Sequence, residues 1–256
     1  MVTGPSSSDL ERAAALVRRA RRGLAFTGAG VSAESGIPTF RGPDGLWKHA
    51  DPVRTATLQY FLRDPTVYWT VSRERWPTYQ RARPNPGHHA LAALEAAGHL
   101  SAVVTQNTDG LHRQAGTEHL VELHGSGRTV RCLDCGRIEP RAEVQARLDV
   151  EMPPICRVCG GTRLKPTVTF FGEALPASAI EEALELAHVC DLILVVGSTL
   201  QVYPAARVPR VAVECGAPLV VVNDEPTPMD VEAAVVLQGL SGEILAALQA
   251  IVIGGG

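Results

Sequence analysis

Four cysteines constrain the fold of this chain more than any other feature of its sequence. They form two pairs, Cys132-x2-Cys135 and Cys156-x2-Cys159, with twenty residues between the pairs. This spacing is typical of a zinc ion held by four thiolates on two tight turns, and it predicts a small module over residues 128–164. Four cysteine ligands leave no open coordination position, so the predicted zinc is structural. Two disulfides or two redox-active pairs are the alternative.

A glycine-rich stretch at residues 28–42 follows a short apolar run of strand length, 24–27. Gly28, Gly30 and Ala33 form the pattern G-x-G-x-x-A. The pattern predicts a strand, a tight turn and a helix start, whose free backbone N–H groups can bind a pyrophosphate. By itself the pattern is weak, because it also occurs by chance in chains rich in glycine and alanine. It indicates a phosphate-bearing ligand only if the rest of the chain agrees.

Further apolar runs end in small polar residues. Strands are predicted at 100–105, 120–123, 192–196 and 218–222, and helices at about 9–21, 88–97, 176–187, 204–215 and 241–252. The polar residues that follow the strands are Gln106, Asn107, Thr108, Asp109, His124, Gly197, Ser198, Thr199 and Asn223. Alternating strands and helices predict an α/β fold with a mostly parallel sheet covered on both faces. Ligands of such sheets bind outside the carboxyl ends of the strands.

One segment interrupts this alternation. Residues 43–86 are rich in proline, arginine and aromatic residues, and they delay the second strand beyond the length of an ordinary βαβ unit. We expect short helices that form a lid over the ligand. Cys190 and Cys215, which stand in apolar surroundings outside the two pairs, are predicted to be core residues.

Composition excludes two classes of partner. The 256 residues carry a formal net charge of −3, and basic residues cluster only at Arg18, Arg19, Arg21 and Arg22, so nucleic acid is not expected to bind. The longest apolar runs are far shorter than the ~20 residues of a membrane span, and no signal peptide is recognisable. These observations favour a cytoplasmic protein without a membrane partner, in which thiols stay reduced.

Taken together, the segments resemble the sirtuins, a family of NAD-dependent protein deacylases, in order along almost the whole chain. The matching segments are GAGVSAESGIPTFRG at 28–42, TQNTDGLH at 105–112, LHG at 123–125, both cysteine pairs, PTVTFFGE at 166–173, GSTLQVYPAA at 197–206 and VN at 222–223. The resemblance implies a discontinuous Rossmann-type NAD-binding domain (1–42, 87–127 and 165–256), a helical insertion with a cofactor loop (43–86) and a zinc-binding module (128–164).

The resemblance also implies binding residues. Those expected to hold NAD are Gly28, Ala29, Gly30, Ala33, Ile37, Thr39, Phe40, Arg41, Trp47, Gln106, Asn107, Asp109, Gly197, Ser198, Thr199 and Asn223. An acyl-lysine peptide would add a strand along Val168, Thr169, Phe170, Phe171, Gly172 and Glu173. Core packing is the alternative for the two phenylalanines. The oligomeric state stays open.

His124 is the general base implied by the resemblance, with Asn107 and Asp109 as its catalytic neighbours. An imidazole with a pKa near neutrality can take a proton from a ribose hydroxyl at working pH. The expected products are free lysine, nicotinamide and O-acyl-ADP-ribose. We expect His88, His89, His112 and His119 to occupy ordinary surface or helix positions.

The chain departs from one pattern within the family. Sirtuins that remove succinyl or malonyl groups carry a tyrosine and an arginine three residues apart, where this chain has Ser72 and Arg75. This difference counts against acidic acyl groups. The stretch YWTVSRERWP and the later LHG and CLDCG resemble the mitochondrial and bacterial branch, of which some members remove longer or lipoyl-type groups.

Three further functions compete with deacylation. Mono-ADP-ribosyl transfer would use the same ribose carbon with a protein nucleophile. A non-catalytic NAD-binding module would bind the cofactor without releasing nicotinamide. A dehydrogenase is disfavoured, because no acidic residue stands cleanly on a second strand about 20 residues after the glycines.

Overall fold

Strands and helices alternate along most of the chain, of which the computed structural model describes residues 5–39, 45–48 and 51–254. The strands are β1 (Gly23–Thr27), β2 (Leu100–Thr105), β3 (Leu120–Glu122), β4 (Gly125–Cys132), β5 (Ile138–Pro140), β6 (Leu164–Val168), β7 (Leu192–Val196), β8 (Leu219–Asn223) and β9 (Val235–Gln238). The α-helices are α1 (Ser7–Arg19), α2 (Pro52–Ala56), α3 (Leu58–Arg63), α4 (Pro65–Arg81), α5 (Pro86–Ala96), α6 (Leu111–Gln114), α7 (Arg141–Gln145), α8 (Ala177–Val189), α9 (Arg207–Glu214) and α10 (Ser241–Gly254). Short 3₁₀ helices cover Ala29–Ser35, Leu46–Lys48 and Asp230–Glu232.

Six strands form one parallel sheet in the order β3-β2-β1-β7-β8-β9. This arrangement confirms the predicted Rossmann-type α/β fold. From β1 the chain proceeds outward to β3 on one side, and from β7 it proceeds outward to β9 on the other. The neighbours β1 and β7 therefore meet at the switch point of the sheet, where doubly wound proteins bind their ligands.

Helices cover both faces of this sheet. Residues of α1, α5 and α10 pack in one apolar cluster, which includes Val17, Leu91 and Leu248. Residues of α8 and α9 pack in another, which includes Ala183 and Val208. Strands β1, β7 and β8 are buried along their whole length, as parallel strands between two helical layers are. No helix in the described part of the chain has the length and apolar content needed to span a membrane.

A smaller antiparallel sheet, in the order β5-β4-β6, lies in the segment that carries the cysteines. The helices α2, α3 and α4 lie in the segment that interrupts the parallel sheet, and α3 and α4 pack against the smaller sheet. Phe61 and Trp69 share an apolar cluster with Val130 and Leu164. The indole N–H of Trp69 donates to the carbonyl oxygen of Leu164 at 3.0 Å. The insertion and the smaller sheet are thus packed against each other through a common core.

Several elements differ from the prediction for local reasons. α1 begins at Ser7 because the hydroxyl of Ser6 accepts the N–H of Asp9 at 3.1 Å and caps the helix there. The segment after Gly28 forms a 3₁₀ helix instead of an α-helix. The edge strand β9 was not predicted, because an alternation over four residues is a weak signal. Cys190 is buried as predicted, but the prediction for Cys215 was wrong, since that side chain is exposed.

Candidate active site

A cavity of about 670 Å³ opens at the carboxyl ends of the parallel strands. It is bounded by the residues that follow β1, β2, β7 and β8, by α4 and by the loop at 170–173. The predicted residues that line it are Gly28, Ala29, Gly30, Ala33, Ile37, Thr39, Trp47, Gln106, Asn107, Asp109, His124, Val168, Thr169, Phe170, Phe171, Gly172, Glu173, Gly197, Ser198, Thr199 and Asn223. Phe40 and Arg41, also predicted here, lie outside the described residues.

Three glycines allow the ends of β1 and β7 to approach closely. The N–H of Gly30 donates to the carbonyl oxygen of Gly197 at 2.9 Å. A Cβ atom at Gly30 would lie 2.7 Å from the Cα of Gly197, and one at Gly28 would lie 2.7 Å from its carbonyl oxygen. Gly197 also has φ +59°, a backbone conformation that favours glycine. Side chains at these positions would push apart the two strand ends that form the floor of the cavity.

An amide and a carboxylate are held at fixed positions beside this turn. The Asn107 amide nitrogen donates to the carbonyl oxygen of Gly28 at 3.0 Å and to the hydroxyl of Ser32 at 3.1 Å. Ser32 donates to the Asp109 carboxylate at 2.7 Å, and the N–H of Leu111 donates to the same carboxylate at 2.8 Å. Burial raises the pKa of Asp109, and these two hydrogen bonds oppose that rise. The network leaves the amide oxygen of Asn107 available to a ligand.

Two buried histidines pack beside this network. His88 and His112 lie on helices, as predicted, but the expectation of ordinary positions missed that both side chains are almost completely buried. His112 Nε2 lies 2.9 Å from the hydroxyl of Thr27, and His88 Nε2 lies 3.4 Å from that of Ser32. Burial lowers the pKa of His88 to about 4 and that of His112 to about 3. Both imidazoles are therefore neutral at physiological pH.

His124 follows β3 and is fixed by one hydrogen bond. Its Nδ1 atom lies 2.8 Å from the carbonyl oxygen of Gln106. A carbonyl oxygen can only accept, so Nδ1 carries the proton and Nε2 of the neutral ring has a free lone pair. Burial lowers the pKa of His124, and the Gln106 carbonyl opposes that change by stabilising the protonated ring. Nε2 is thus a proton acceptor on a residue that lines the cavity.

The loop after β6 runs beside His124. The N–H of Thr169 donates to the carbonyl oxygen of His124 at 2.8 Å. The backbone of Phe171 pairs with the helical insertion, donating to Ala56 and accepting from Leu58. Gly172 has no hydrogen-bond partner within the part of the chain that the structure describes. Phe170 is buried in the core, whereas Phe171 is exposed, so core packing accounts for only one of the two.

The four paired cysteines meet in one cluster. Their sulfur atoms all lie within 4.8 Å of one another. The Sγ atoms of Cys132 and Cys159 are 3.6 Å apart, and those of Cys135 and Cys156 are 3.7 Å apart. These distances are too long for disulfides and match the ~3.8 Å edge of a tetrahedron with Zn–S bonds of about 2.3 Å. The donor set therefore fits a structural zinc ion.

Comparison with known proteins agrees with this geometry. The pattern that describes the Sir2 family matches residues 28–204. The chain belongs to the Sir2 family. A relative from Pyrobaculum aerophilum, named NAD-dependent protein deacylase 2, is 48% identical over 230 residues, which cover 90% of each chain. A relative of the same name from Archaeoglobus fulgidus is 44% identical over 237 residues, which cover 93% of each chain.

Solved structures of Sir2 proteins share the whole fold. One, from work described as "Structural Basis for the Mechanism and Regulation of Sir2 Enzymes", has a TM-score of 0.92 at 42% identity and covers 98% of this chain and 100% of that one. Another, described as "Sir2-p53 peptide-NAD+", has a TM-score of 0.87 at 34% identity and covers 96% of this chain and 98% of that one. The similarity thus includes both sheets and the helices between them.

The cavity of this Sir2 protein includes residues that sequence analysis did not propose as cavity-lining. Ser32 lies within the glycine-rich stretch, and its place in that motif was the available signal. Tyr68, Trp76 and Tyr79 on α4, with Arg141 on α7, line the end of the cavity between the insertion and the cysteine-bearing sheet. The spacing of Tyr68, Trp76 and Tyr79 places them on one face of α4. It does not indicate that Arg141 meets them, because that contact depends on how the two inserted segments pack together.

Proposed function

We propose that this chain is an NAD-dependent protein-lysine deacylase that releases nicotinamide and forms O-acyl-ADP-ribose. The observation that carries the proposal is His124, whose Nδ1 is bound to Gln106 and whose Nε2 is left as a proton acceptor on the cavity side. Relatives that match at least 90% of this chain are named NAD-dependent protein deacylases.

The glycine turn and the strand ends would hold NAD. The N–H groups of Gly28 and Gly30 donate to Val196 and Gly197, so the backbone N–H of Ala29 between them is the one that suits a phosphate, which the flanking glycines permit to approach closely. Asn223, at the end of β8, suits the adenosine ribose, while Asn107 and Asp109 suit the nicotinamide side. When bound, NAD supplies an electrophilic ribose carbon for the acyl oxygen of the substrate. The four cysteines would hold zinc, which orders the smaller sheet and takes no part in the chemistry.

His124 would remove a proton from a ribose hydroxyl at Nε2. The Gln106 carbonyl keeps the ring in the tautomer that has this lone pair free and stabilises the imidazolium that forms. The loop at 168–173 would hold the acyl-lysine segment of a protein as an added strand, with the unpaired backbone of Gly172 among the groups open to it.

The domain division, the cellular location and the branch within the family are further proposals. We infer a division into an NAD-binding domain (1–42, 87–127 and 165–256), a helical insertion with a cofactor loop (43–86) and a zinc module (128–164), consistent with two separate sheets. A cytoplasmic location agrees with the thiol chemistry of the zinc site. Membership of the mitochondrial and bacterial branch rests on YWTVSRERWP, LHG and CLDCG, and the two relatives described above are archaeal.

Nicotinamide release from NAD in the presence of an acetyl-lysine peptide tests the proposal. His124→Ala should reduce release at least about a hundredfold, the usual contribution of a general base. His89→Ala, which alters an exposed histidine on α5, is the matched control and should release nicotinamide as the unaltered chain does. Binding of ADP-ribose to both variants shows that the cavity is intact.

Two results would contradict the proposal. Labelled ADP-ribose retained on protein would indicate mono-ADP-ribosyl transfer. NAD binding without nicotinamide release on any acyl peptide would indicate a non-catalytic module.

A further inference from the structure

Asn85 lies directly before α5, where the chain returns from the helical insertion to the parallel sheet. Its side chain is almost completely buried. The side-chain oxygen accepts the N–H groups of Gly87 at 2.9 Å and of His88 at 3.3 Å, and the backbone N–H of Asn85 donates to Nδ1 of His88 at 3.3 Å. These contacts form a capping box, so the oxygen of Asn85 satisfies the start of α5.

The amide nitrogen of Asn85 makes contacts that a helix cap does not require. It donates to the carbonyl oxygen of Val31 at 2.7 Å and to the hydroxyl of Ser35 at 3.0 Å. A carbonyl oxygen can only accept, so the nitrogen and not the oxygen of the amide faces Val31. Both partners belong to the 3₁₀ helix Ala29–Ser35 after the glycine turn, which we call the cofactor segment. Asn85 thus joins the start of α5 to the cofactor segment.

The cofactor segment depends on contacts of this kind for its position. A 3₁₀ helix has poorer hydrogen-bond geometry than an α-helix, and short helices are not stable by themselves. At its start, the N–H of Ala29 suits a phosphate. Ser32, the residue after Val31, donates to Asp109 and accepts from Asn107. A shift of Val31 would therefore disturb both the phosphate side and the nicotinamide side of the proposed NAD site.

Other helices of this protein show that capping by itself needs no amide. Asp51 caps α2 and Asp64 caps α4, each through a carboxylate oxygen. A carboxylate or a hydroxyl would also cap α5. Neither group could donate twice, once to Val31 and once to Ser35. The two N–H donors of the Asn85 amide therefore serve the cofactor segment and not α5.

We propose that Asn85 is a positioning residue for NAD, which holds the cofactor segment in place by donating to Val31 and Ser35. The inference rests on the proposed function, because it concerns the cofactor of the same site. Asn85 is not among the residues that line the cavity, so it acts through the segment and not by contact with NAD. Loss of its two donors should weaken dinucleotide binding. The peptide loop is held by other contacts, with His124 and the helical insertion, and should keep its shape.

Two substitutions remove these donors and keep the cap. Asn85→Asp has the same shape and can still accept from Gly87 and His88, but it places an oxygen opposite the carbonyl oxygen of Val31. Asn85→Ser also caps α5, and its side chain is too short to reach Val31.

The affinity for ADP-ribose and the two KM values are the readouts. Calorimetry measures the Kd of ADP-ribose, and steady-state kinetics measure the KM of NAD and of an acetyl-lysine peptide. In both variants the Kd of ADP-ribose and the KM of NAD should rise roughly tenfold, as expected for the loss of a buried hydrogen bond. The KM of the peptide should stay the same. A helix cap alone would not separate the two KM values in this way.

Asp64→Asn is the matched control. It makes the reverse exchange at the cap of α4, where Asp64 accepts the N–H of Thr66 and does not line the cavity. This variant should bind ADP-ribose and release nicotinamide as the unaltered chain does. If Asn85→Asp fails to fold, Asn85→Ser decides, because a serine introduces no buried charge.

The outcomes separate this inference from the deacylase function. Unchanged affinity for ADP-ribose in both Asn85 variants would overturn the inference and leave the function standing. An equal rise in both KM values with a lower melting temperature would also overturn it, because Asn85 would then serve only α5. If the unaltered chain binds ADP-ribose but releases no nicotinamide with any acyl peptide, and both variants bind ADP-ribose more weakly, the deacylase function is rejected and the inference holds. No binding of ADP-ribose by the unaltered chain would reject both.

Discussion

The ammonium group of Lys165 lies 2.8 Å from the carboxylate of Glu173, and the pair joins β6 to the end of the loop beside His124. Lys165 is almost completely buried, and it also lies 4.3 Å from the ring centroid of Phe170. Glu173 in turn accepts the N–H of Phe170 at 2.7 Å. One ion pair thus holds the shape of the loop that we propose binds the peptide.

Lys165→Met should raise the KM for an acetyl-lysine peptide roughly tenfold or more, with little change in the KM for NAD. Breaking a buried ion pair leaves a carboxylate without its partner, which costs about 3–5 kcal/mol and favours rearrangement of the loop. Steady-state kinetics with each substrate varied in turn measures both constants. Lys165→Arg should restore most of the affinity, and Arg210→Met, which breaks a surface pair with Glu232, is the control. An equal rise in both KM values would show a general loss of folding instead.

In the pH profile of kcat/KM, the acid limb should have its midpoint below pH 6.5. Burial lowers the pKa of His124 from its ordinary value of 6.5, so the neutral ring that acts as base persists to lower pH than in an exposed histidine. The pH profile of kcat/KM with an acetyl-lysine peptide reports the pKa of the free enzyme. An acid limb centred above pH 7 would contradict this assignment of His124.

Stability should fall as the pH decreases from 7 to 5.5. His88 and His112 have folded-state pKa values of about 4 and about 3, below the 6.5 of the unfolded chain. In this window the unfolded state binds more protons than the folded state, so each histidine removes on the order of 1 kcal/mol from the free energy of unfolding. Urea unfolding at each pH, with zinc content measured in parallel, gives the slope. In His88→Gln the free energy of unfolding should decrease less steeply as the pH falls. An unchanged pH dependence would show that His88 does not contribute to it.

Removal of zinc should lower both stability and peptide turnover. Cys132 and Cys156 share an apolar cluster with Phe61, Trp69 and Phe170, so loss of the ion would loosen the packing against the peptide loop. Cys135→Ser should bind less than one zinc per chain and melt roughly 10 °C lower, because structural zinc contributes several kcal/mol. Metal analysis and thermal unfolding measure both effects. Cys215→Ser, which alters an exposed cysteine outside the cluster, should change neither.

Local patterns predicted most of the parallel sheet. The apolar runs at β2 and β7 have strand length and buried composition, and both strands lie at the predicted residues. The glycines after β1 and β7 were predicted only as ligand-binding positions, and their contact with each other at Gly30 and Gly197 emerged from the structure. The short edge strand β9 was missed because four alternating residues carry little information.

The amino-acid sequence by itself determined which residues could carry the chemistry: four thiolates at zinc spacing, a histidine and an amide after strands, and glycines at the switch point. It could do so because each of these signals is contained in a few consecutive residues. Only the tertiary structure decided what surrounds them. Gln106 orients His124, Lys165 holds the loop through Glu173, and Arg141 meets Ser72 from 69 residues away along the chain. Such contacts arise from the packing of one segment on another, and no local pattern records which side chains that packing brings together.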